Sequence, residues 1–247
     1  MKLSVYFTPL GITNQAIAGK PTVVIDVLRA TSSIVAAMSN GARAVVPAAN
    51  ADEALRVAKN LESDDVLLAG ERGGHRIEGF ALGNSPLEMT ADVVKGKTLV
   101  MATTNGTGAL VAAEPGRPVL VAAITNFSAL VERARQAADE HGELTVLCAG
   151  RERMFALEDA YVAGRVVQAM LPDGKRKHVD LSDAAIAALE LVRRYGDRWR
   201  RAIRASAHAH MLKSIGYKED VEAVTEVDLF DIVPEYSERL IKVPDST

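Results

Sequence analysis

The sequence predicts an α/β protein with a layered α/β/α architecture, whose sheet is mostly parallel or mixed. Three observations predict this fold class. Short apolar runs alternate with helix-like segments through the first 170 residues. Two stretches of this alternating region resemble each other, which indicates two duplicated βαβαβ halves. From Ser182 onward the pattern becomes helical, which predicts an added C-terminal helical segment.

The predicted strands are runs of apolar residues without a polar alternation. Such continuous runs are typical of strands that are covered on both faces. They read, in chain order, "LSVYF", "TVVIDV", "RAVVPA", "DVLLAG", "TLVMATT", "PVLVAAI" and "LTVLCAG".

Amphipathic helices are predicted between these strands, at "ADEALRVAKNL" and "NFSALVERARQAADEHG". The second helix begins at Asn126 or Ser128 as its N-cap and ends at Gly142. In the C-terminal part, "SDAAIAALELVRRYG" and "DRWRRAIRASAHAHMLKSIG" predict two further helices, each closed by a glycine. The final stretch predicts a short helix followed by one or two strands.

The internal repeat is visible when "TVVIDVLRATSSIVAA", from Thr22, is placed above "TLVMATTNGTGALVAA", from Thr98. Six of the sixteen positions are identical, and an offset of 76 also carries Asn50 onto Asn126. We therefore expect one domain over residues 1–247, with repeat halves at about 22–72 and 98–152. The helical C-terminal part is expected at about 182–228.

The composition narrows the possible partners. The formal net charge of −3 gives no sign of a nucleic-acid surface. No apolar stretch approaches the roughly 18 residues of a membrane helix, so we expect no membrane partner. A single cysteine, Cys148, excludes an internal disulfide and favours a reducing compartment. We expect a cytoplasmic protein, with a homodimer as the commonest oligomer for such a chain.

Polar residues follow two corresponding strands of the repeat. Ligands of parallel α/β sheets bind beyond the carboxyl ends of the strands, where helix N-termini favour anions. The candidate phosphate-binding residues at these ends are Arg29, Thr31 and Ser32 in the first half and Thr104, Asn105, Gly106 and Thr107 in the second. The forked guanidinium of Arg29 could clamp phosphate oxygens. Alternatively, Thr31 and Thr104 are only helix caps.

Four acidic residues also fall near strand ends: Asp26, Glu71, Glu158 and Asp159. Carboxylate oxygens suit Mg²⁺, which usually takes one or two carboxylates and completes its shell with water and substrate oxygens. We therefore predict a magnesium site among these four acids. The alternative for Glu158 and Asp159 is that they only favour the positive end of a helix.

An ordered set of short words resembles the 2-phosphosulfolactate phosphatase family. The words are "VVIDVLRAT", "GER", "GFALGNSPLE", "TTNGT", "CAG" and "LEDAYVAG", with a weaker match that includes His208 and Asp220. The resemblance implies Mg²⁺-dependent removal of phosphate from 2-phospho-3-sulfolactate to give 3-sulfolactate, a step toward coenzyme M. It adds Asn84 and Ser85 to the substrate-binding candidates.

The expected catalytic residues are Asp26, Arg29, Glu71 and Asn105, with Arg72 or Arg151 receiving the carboxylate or sulfonate of a small anionic substrate. The attacking group is either a water molecule or the Asp26 carboxylate. "DVLRAT" lacks the second aspartate of haloacid-dehalogenase-type phosphatases, which favours water. Two other functions stay open: a phosphatase for another phospho-hydroxy acid, and a non-catalytic binder of an anionic metabolite.

Overall fold

The computed structural model describes residues 1–61, 65–171 and 179–244. Its strands are β1 (Lys2–Tyr6), β2 (Thr22–Ile25), β3 (Ala44–Ala48), β4 (Val66–Arg72), β5 (His75–Arg76), β6 (Thr98–Ala102), β7 (Val119–Ala122), β8 (Glu143–Cys148), β9 (Asp180–Leu181), β10 (Glu235–Ser237) and β11 (Leu240–Lys242). Its α-helices are α1 (Asn14–Ile17), α2 (Ala30–Ser39), α3 (Ala51–Leu61), α4 (Ala91–Val94), α5 (Gly106–Ala113), α6 (Phe127–His141), α7 (Leu157–Met170), α8 (Asp183–Tyr195), α9 (Trp199–Arg204), α10 (Ala207–Ser214) and α11 (Lys218–Ala223). The predicted α/β class with C-terminal helices is confirmed.

The strand order is symmetric with respect to the two sequence repeats. The sheet runs β5-β4-β6-β3-β11-β10-β7-β2-β8-β1-β9. Among the six strands of the repeats, exchanging each strand for its counterpart (β2 for β6, β3 for β7 and β4 for β8) gives the same order read backwards. The first strand of each repeat therefore lies between the second and third strands of the other repeat. This interlocked order supports a duplication.

The sheet is mixed because a C-terminal hairpin joins two half-sheets. In the β6 half-sheet, β3, β6 and β4 are parallel, and in the β2 half-sheet, β7, β2, β8, β1 and β9 are parallel. The hairpin places β10 antiparallel to β7 and β11 antiparallel to β3. The two half-sheets consequently run in opposite directions, and the predicted terminal strands are confirmed.

Side chains alternate between cores on the two faces of each half-sheet, as the pleat requires. On β2, Val23 and Ile25 pack into a core with α6 to α11, whereas Val24 packs into a second core. That second core also receives Leu99 and Met101 of β6 together with apolar residues of α2 and α5. Helices α2 and α5 therefore share one core with both half-sheets, and this explains why the strands are apolar on both faces.

Two details differ from or extend the sequence prediction. The prediction of a single helix over 197–216 is wrong. This segment forms two helices, α9 and α10, because the Ser206 hydroxyl accepts the amide of Ala209 and starts a new helix. The predicted stop at Gly142 is confirmed, with φ +73° in the left-handed region that glycine adopts without strain. Within the described residues, no helix has the length and apolar character needed to cross a membrane.

Candidate active site

The N-termini of α2 and α5 meet where β2 and β6 end. A Cβ atom built on Gly106, the first residue of α5, would lie 2.4 Å from Cβ of Ala30, the first residue of α2. The same atom would lie 2.5 Å from Oδ2 of Asp26, which follows β2. The corresponding strand-to-helix turns of the two repeats are therefore in direct contact, and their positive helix ends point into one region.

A small cavity with about 30 Å³ of free space lies at this junction. Its lining combines Asp26, Arg29, Glu71 and Asn84 with Thr104, Asn105 and Arg151, and with His208 and Met211 of α10. The structure thus brings together all four predicted catalytic residues, from both repeats. Free space of this kind exceeds the roughly 10–15 Å³ that one water molecule needs, which suits an ion or a small polar group.

Several predicted phosphate-binding hydroxyls serve the backbone. Thr31 Oγ1 accepts the Asp26 amide at 3.0 Å and donates to the Asp26 carbonyl at 2.8 Å. Thr107 makes the equivalent pair with Thr103 in the second repeat, both at 3.2 Å. Ser32 Oγ donates to the Val27 carbonyl at 2.9 Å. The structure therefore favours the local, backbone-capping interpretation for Thr31, Ser32 and Thr107.

Glu71 joins the end of β4 to the turn after β6. Its carboxylate accepts the amide of Thr104 at 2.6 Å, the Thr104 hydroxyl at 3.1 Å and the amide of Gly74 at 2.8 Å. The Thr104 hydroxyl therefore bonds to a carboxylate and not to the backbone of α5, the helix that follows it. Glu71 thereby positions the second-repeat turn beside Asp26, which is a role that the strand-end argument alone does not predict.

Asp26 is a buried acid with an altered proton affinity. Its pKa is raised to about 7, mainly by burial and also by the nearby carboxylates of Glu71 and Glu158. A positive charge on His208 and the Ala30 amide, which donates to Oδ1 at 3.4 Å, act in the opposite direction. An acid whose pKa lies near neutrality can exchange protons under working conditions.

Asn84 offers an oxygen ligand in the same cavity. Its Oδ1 is buried and has no hydrogen-bond partner among the described residues. Its backbone is fixed, because the Asn84 carbonyl accepts the Ser33 hydroxyl at 2.9 Å. Buried polar atoms are nearly always satisfied. An orphan amide oxygen beside the carboxylates of Asp26 and Glu71 therefore fits a hard cation such as Mg²⁺.

The other two predicted metal ligands lie outside the cavity lining. Asp159 accepts the amides of Val27 at 2.9 Å and Gly150 at 3.1 Å, so it ties together the turns after β2 and β8. Burial and the adjacent Glu158 charge raise the pKa of Asp159 well above its ordinary value. Glu158 instead pairs with His208. Among residues 1–61, 65–171 and 179–244, no three His, Cys, Asp or Glu side chains form a metal-binding group by themselves. The four acids do not surround one point.

Arg29 reaches the cavity with an orientation that is already fixed. Its Nη1 donates to Asp220 Oδ2 at 2.6 Å and its Nη2 donates to the Gly74 carbonyl at 2.6 Å. Its guanidinium carbon lies 4.2 Å from the ring centroid of Tyr217. Ser85 supports the same carboxylate by donating to Asp220 Oδ1 at 2.7 Å. A guanidinium has five N–H donors, so donors remain for a ligand.

Of the two arginines predicted to receive the acidic group of a substrate, only Arg151 lines the cavity. Arg72 is exposed at the end of β4. Arg151 is held on a tight turn by mutual backbone hydrogen bonds with Met154, at 2.9 Å and 2.8 Å. The next residue donates its amide to Asn105 Oδ1 at 2.9 Å, which fixes Asn105 at the cavity.

The sequence model of the family described as 2-phosphosulpholactate phosphatase matches residues 6–239. The chain belongs to the 2-phosphosulfolactate phosphatase family. Three similar proteins are each named a probable 2-phosphosulfolactate phosphatase. One from Caldanaerobacter subterraneus subsp. tengcongensis is 36% identical over 98% of each chain. One from Thermotoga petrophila is 40% identical over 87% of this chain and 88% of its own. One from Clostridium acetobutylicum is 34% identical over 96% of this chain and 98% of its own.

In this member of the 2-phosphosulfolactate phosphatase family, the C-terminal helices supply residues that strand-end reasoning missed. His208 and Met211 line the cavity from α10, and Asp220 of α11 holds Arg29. The weak family matches at His208 and Asp220 were the available signal for two of them. Met211 carries no chemical signature in the sequence, and only the packing of α10 over the junction reveals it.

Proposed function

We propose that the chain is a Mg²⁺-dependent phosphatase for the phosphate monoester of a small acidic metabolite. The first candidate substrate is 2-phospho-3-sulfolactate, which would give 3-sulfolactate and phosphate on a route to coenzyme M. Family membership supports the substrate class. The observation that carries the proposal is the contact between Asp26 and Gly106, because it joins an acid of one repeat to the helix N-terminus of the other.

The donors that fit the metal are one oxygen of Asp26, the Glu71 carboxylate and the orphan Oδ1 of Asn84. When bound there, Mg²⁺ would neutralise phosphate charge and orient the reacting oxygens. Two carboxylates and one amide oxygen leave room for water and substrate oxygens, which this ion requires. Glu158 and Asp159 are outside this proposed ligand set.

The protein's own groups would bind and orient the phosphoryl group. The remaining donors of Arg29 and the N–H groups at the start of α2 and α5 favour its negative charge. Such positioning and electrostatic stabilisation account for most of phosphoryl-transfer catalysis. Arg151 lines the same cavity as Asn105, where it can pair with the carboxylate or sulfonate of the substrate.

Asp26 has two oxygens, and one of them can accept the proton of the attacking water. Burial raises the pKa of Asp26 in the metal-free protein, and a bound Mg²⁺ would lower it again, so the second oxygen would remain an anionic acceptor for this proton. The alternative is a direct attack by Asp26 on phosphorus. A substrate made chiral at phosphorus by oxygen isotopes separates the two: direct attack by water inverts the configuration at phosphorus, whereas attack by Asp26 followed by hydrolysis of the aspartyl phosphate retains it.

The function is tested with a panel of phosphorylated hydroxy acids that includes 2-phospho-3-sulfolactate, each assayed with Mg²⁺ and with a chelator. We expect Mg²⁺-dependent phosphate release that the chelator abolishes. Phosphate release from another phospho-acid alone would change the proposed substrate but support the same reaction. Saturable binding without phosphate release would instead favour a non-catalytic binder of anionic metabolites.

A further inference from the structure

A buried carboxylate–imidazole pair adjoins the reaction cavity. Glu158 Oε1 lies 3.1 Å from Nδ1 of His208, with 2% of the Glu158 side chain and 12% of the His208 side chain exposed. Glu158 lies in the first turn of α7 and His208 lies on α10, so the pair joins two helices that are separate in the sequence. A carboxylate bound to one ring nitrogen fixes the ring orientation and leaves Nε2 for another partner.

The imidazole stands between two adjoining spaces. One is the reaction cavity with Asp26 and Glu71, and the other is a neighbouring cavity of about 160 Å³ beside Phe155 and Leu157. His208 and Arg151 line both. In a phosphate monoester the bridging oxygen lies between phosphorus and the organic part. With the phosphoryl group at Asp26 and the organic acid at Arg151, the bridging oxygen falls between them, in the cavity that His208 also lines.

We propose that His208 is the catalytic acid that protonates the leaving-group oxygen, and that Glu158 is the positioning residue for its ring. This inference rests on the proposed phosphatase function. The water oxygen forms a bond to phosphorus and gives one proton to Asp26. The bond from phosphorus to the bridging oxygen breaks, and its electron pair stays on that oxygen. That oxygen takes the Nε2 proton of His208, so the products are an alcohol and phosphate. Solvent then returns a proton to His208 and removes one from Asp26.

The α10 helix itself does not depend on this pair. Ser206 caps its N-terminus by accepting the amide of Ala209, independently of His208. His210 lies on the same helix, two residues from His208, and is exposed. His210 is therefore a matched control for the loss of an imidazole from α10.

The test compares two substrates whose leaving groups differ in their need for a proton. The variants His208→Gln and His210→Gln are assayed in Mg²⁺ with an alkyl phosphate (2-phospho-3-sulfolactate) and with p-nitrophenyl phosphate, whose leaving group departs without protonation. We expect His208→Gln to lower kcat/KM for the alkyl phosphate by roughly 10²–10⁴-fold, as loss of an acid–base group does. For p-nitrophenyl phosphate the loss should stay below about tenfold. His210→Gln should change neither.

Glu158→Gln should show the same selectivity with a smaller loss, since a neutral amide still contacts Nδ1 but accepts a weaker hydrogen bond than a carboxylate. The Glu158→Gln variant also keeps the inference testable if His208→Gln does not fold. The ratio of its losses in kcat/KM on the two substrates is measured without reference to the His208 variant. An equal loss on both substrates, or no loss, would overturn the assignment of His208. If the unaltered enzyme releases phosphate from neither substrate, the proposed function fails first, and that failure is visible before any variant is compared.

Discussion

Gly106 lies against the carboxylate of Asp26, so closely that a methyl group on Gly106 would stand 2.5 Å from Asp26 Oδ2. A methyl carbon and an oxygen atom that are not bonded to each other do not approach to this distance. The backbone of Gly106 lies outside the left-handed region, so the requirement is for space and not for conformation. The missing side chain is what allows the helix of one repeat to approach the acid of the other.

Gly106→Ala should therefore damage activity. The added methyl group displaces Asp26 or the first turn of α5, and a misplacement of about 1 Å can cost roughly 10²-fold in rate. Gly108→Ala is the matched control, because its new methyl group meets nothing within 4 Å. The control should keep full activity and gain about 0.5–1 kcal/mol of stability. Measured kcat/KM for both variants decides the point, and an unimpaired Gly106→Ala would contradict the required close approach.

The buried Asp26 carboxyl should make stability depend on pH. Because its pKa is raised from 3.8 to about 7, the folded protein keeps a proton that the unfolded chain releases between those values. The free energy of unfolding must then fall as pH rises through this window, by up to about 4 kcal/mol. Asp26→Asn removes that loss, so the variant should become progressively more stable than the native protein from pH 4 to pH 8.

Urea unfolding at several pH values, in the presence of EDTA, measures this difference. Asp139→Asn is the control, since Asp139 is exposed on α6. Its stability relative to the native protein should hardly vary with pH. A constant difference between Asp26→Asn and the native protein across the same range would show that Asp26 titrates normally.

Breaking the ion pair between Arg29 and Asp220 should destabilise the fold more than replacing both of its members. Both side chains are almost fully buried, 2% and 5% exposed. Asp220→Asn leaves a buried guanidinium without its counter-charge, which costs about 3–5 kcal/mol. Arg29→Lys should lose activity as well, because one ammonium cannot reproduce the contacts to Asp220 and Gly74 together.

Chemical unfolding of Asp220→Asn and Arg29→Met, with the double variant to complete the cycle, measures the coupling. We expect the double variant to be less destabilised than the sum of the single changes. Additive changes would mean that the two residues do not stabilise each other in solution.

Magnesium should stabilise the native protein through the proposed ligands. A ligand that binds only the folded state adds about 2.7 kcal/mol at one hundred times its Kd. The Mg²⁺-induced rise in Tm should disappear in Asp26→Asn and shrink in Asn84→Ala, whereas Asp139→Asn should respond like the native protein. An equal rise in Asp26→Asn would place the ion elsewhere.

The sequence predicts much of the secondary structure, because apolar runs and caps are local signals. The repeat also predicts which strand ends carry polar side chains. It does not predict that β2 and β6 exchange places, since that order depends on contacts between the halves and on the β10–β11 hairpin. The Arg29–Asp220 pair joins residues 191 positions apart, and no local pattern connects them.

For a similar reason, some residues of the candidate site are predictable from the sequence and others are not. Asp26 and Glu71 are recognisable because ligands of parallel α/β sheets bind beyond the carboxyl ends of the strands, where both carboxylates lie. Thr31 and Thr107 are ambiguous, since a hydroxyl at a helix start can bind the backbone or a ligand with the same geometry. His208 depends on the break at Ser206, which redirects α10 toward the junction and which helical periodicity conceals.

The most direct test of the account is phosphate release from 2-phospho-3-sulfolactate in Mg²⁺ by the native protein, Asp26→Asn and Asp139→Asn. We predict release by the native protein and by Asp139→Asn, and a loss of roughly 10³-fold or more in kcat for Asp26→Asn, in line with removal of a group central to phosphoryl transfer. A folded Asp26→Asn protein that keeps kcat within about threefold of the native value would show that the junction of the two repeats is not where the phosphate ester is hydrolysed.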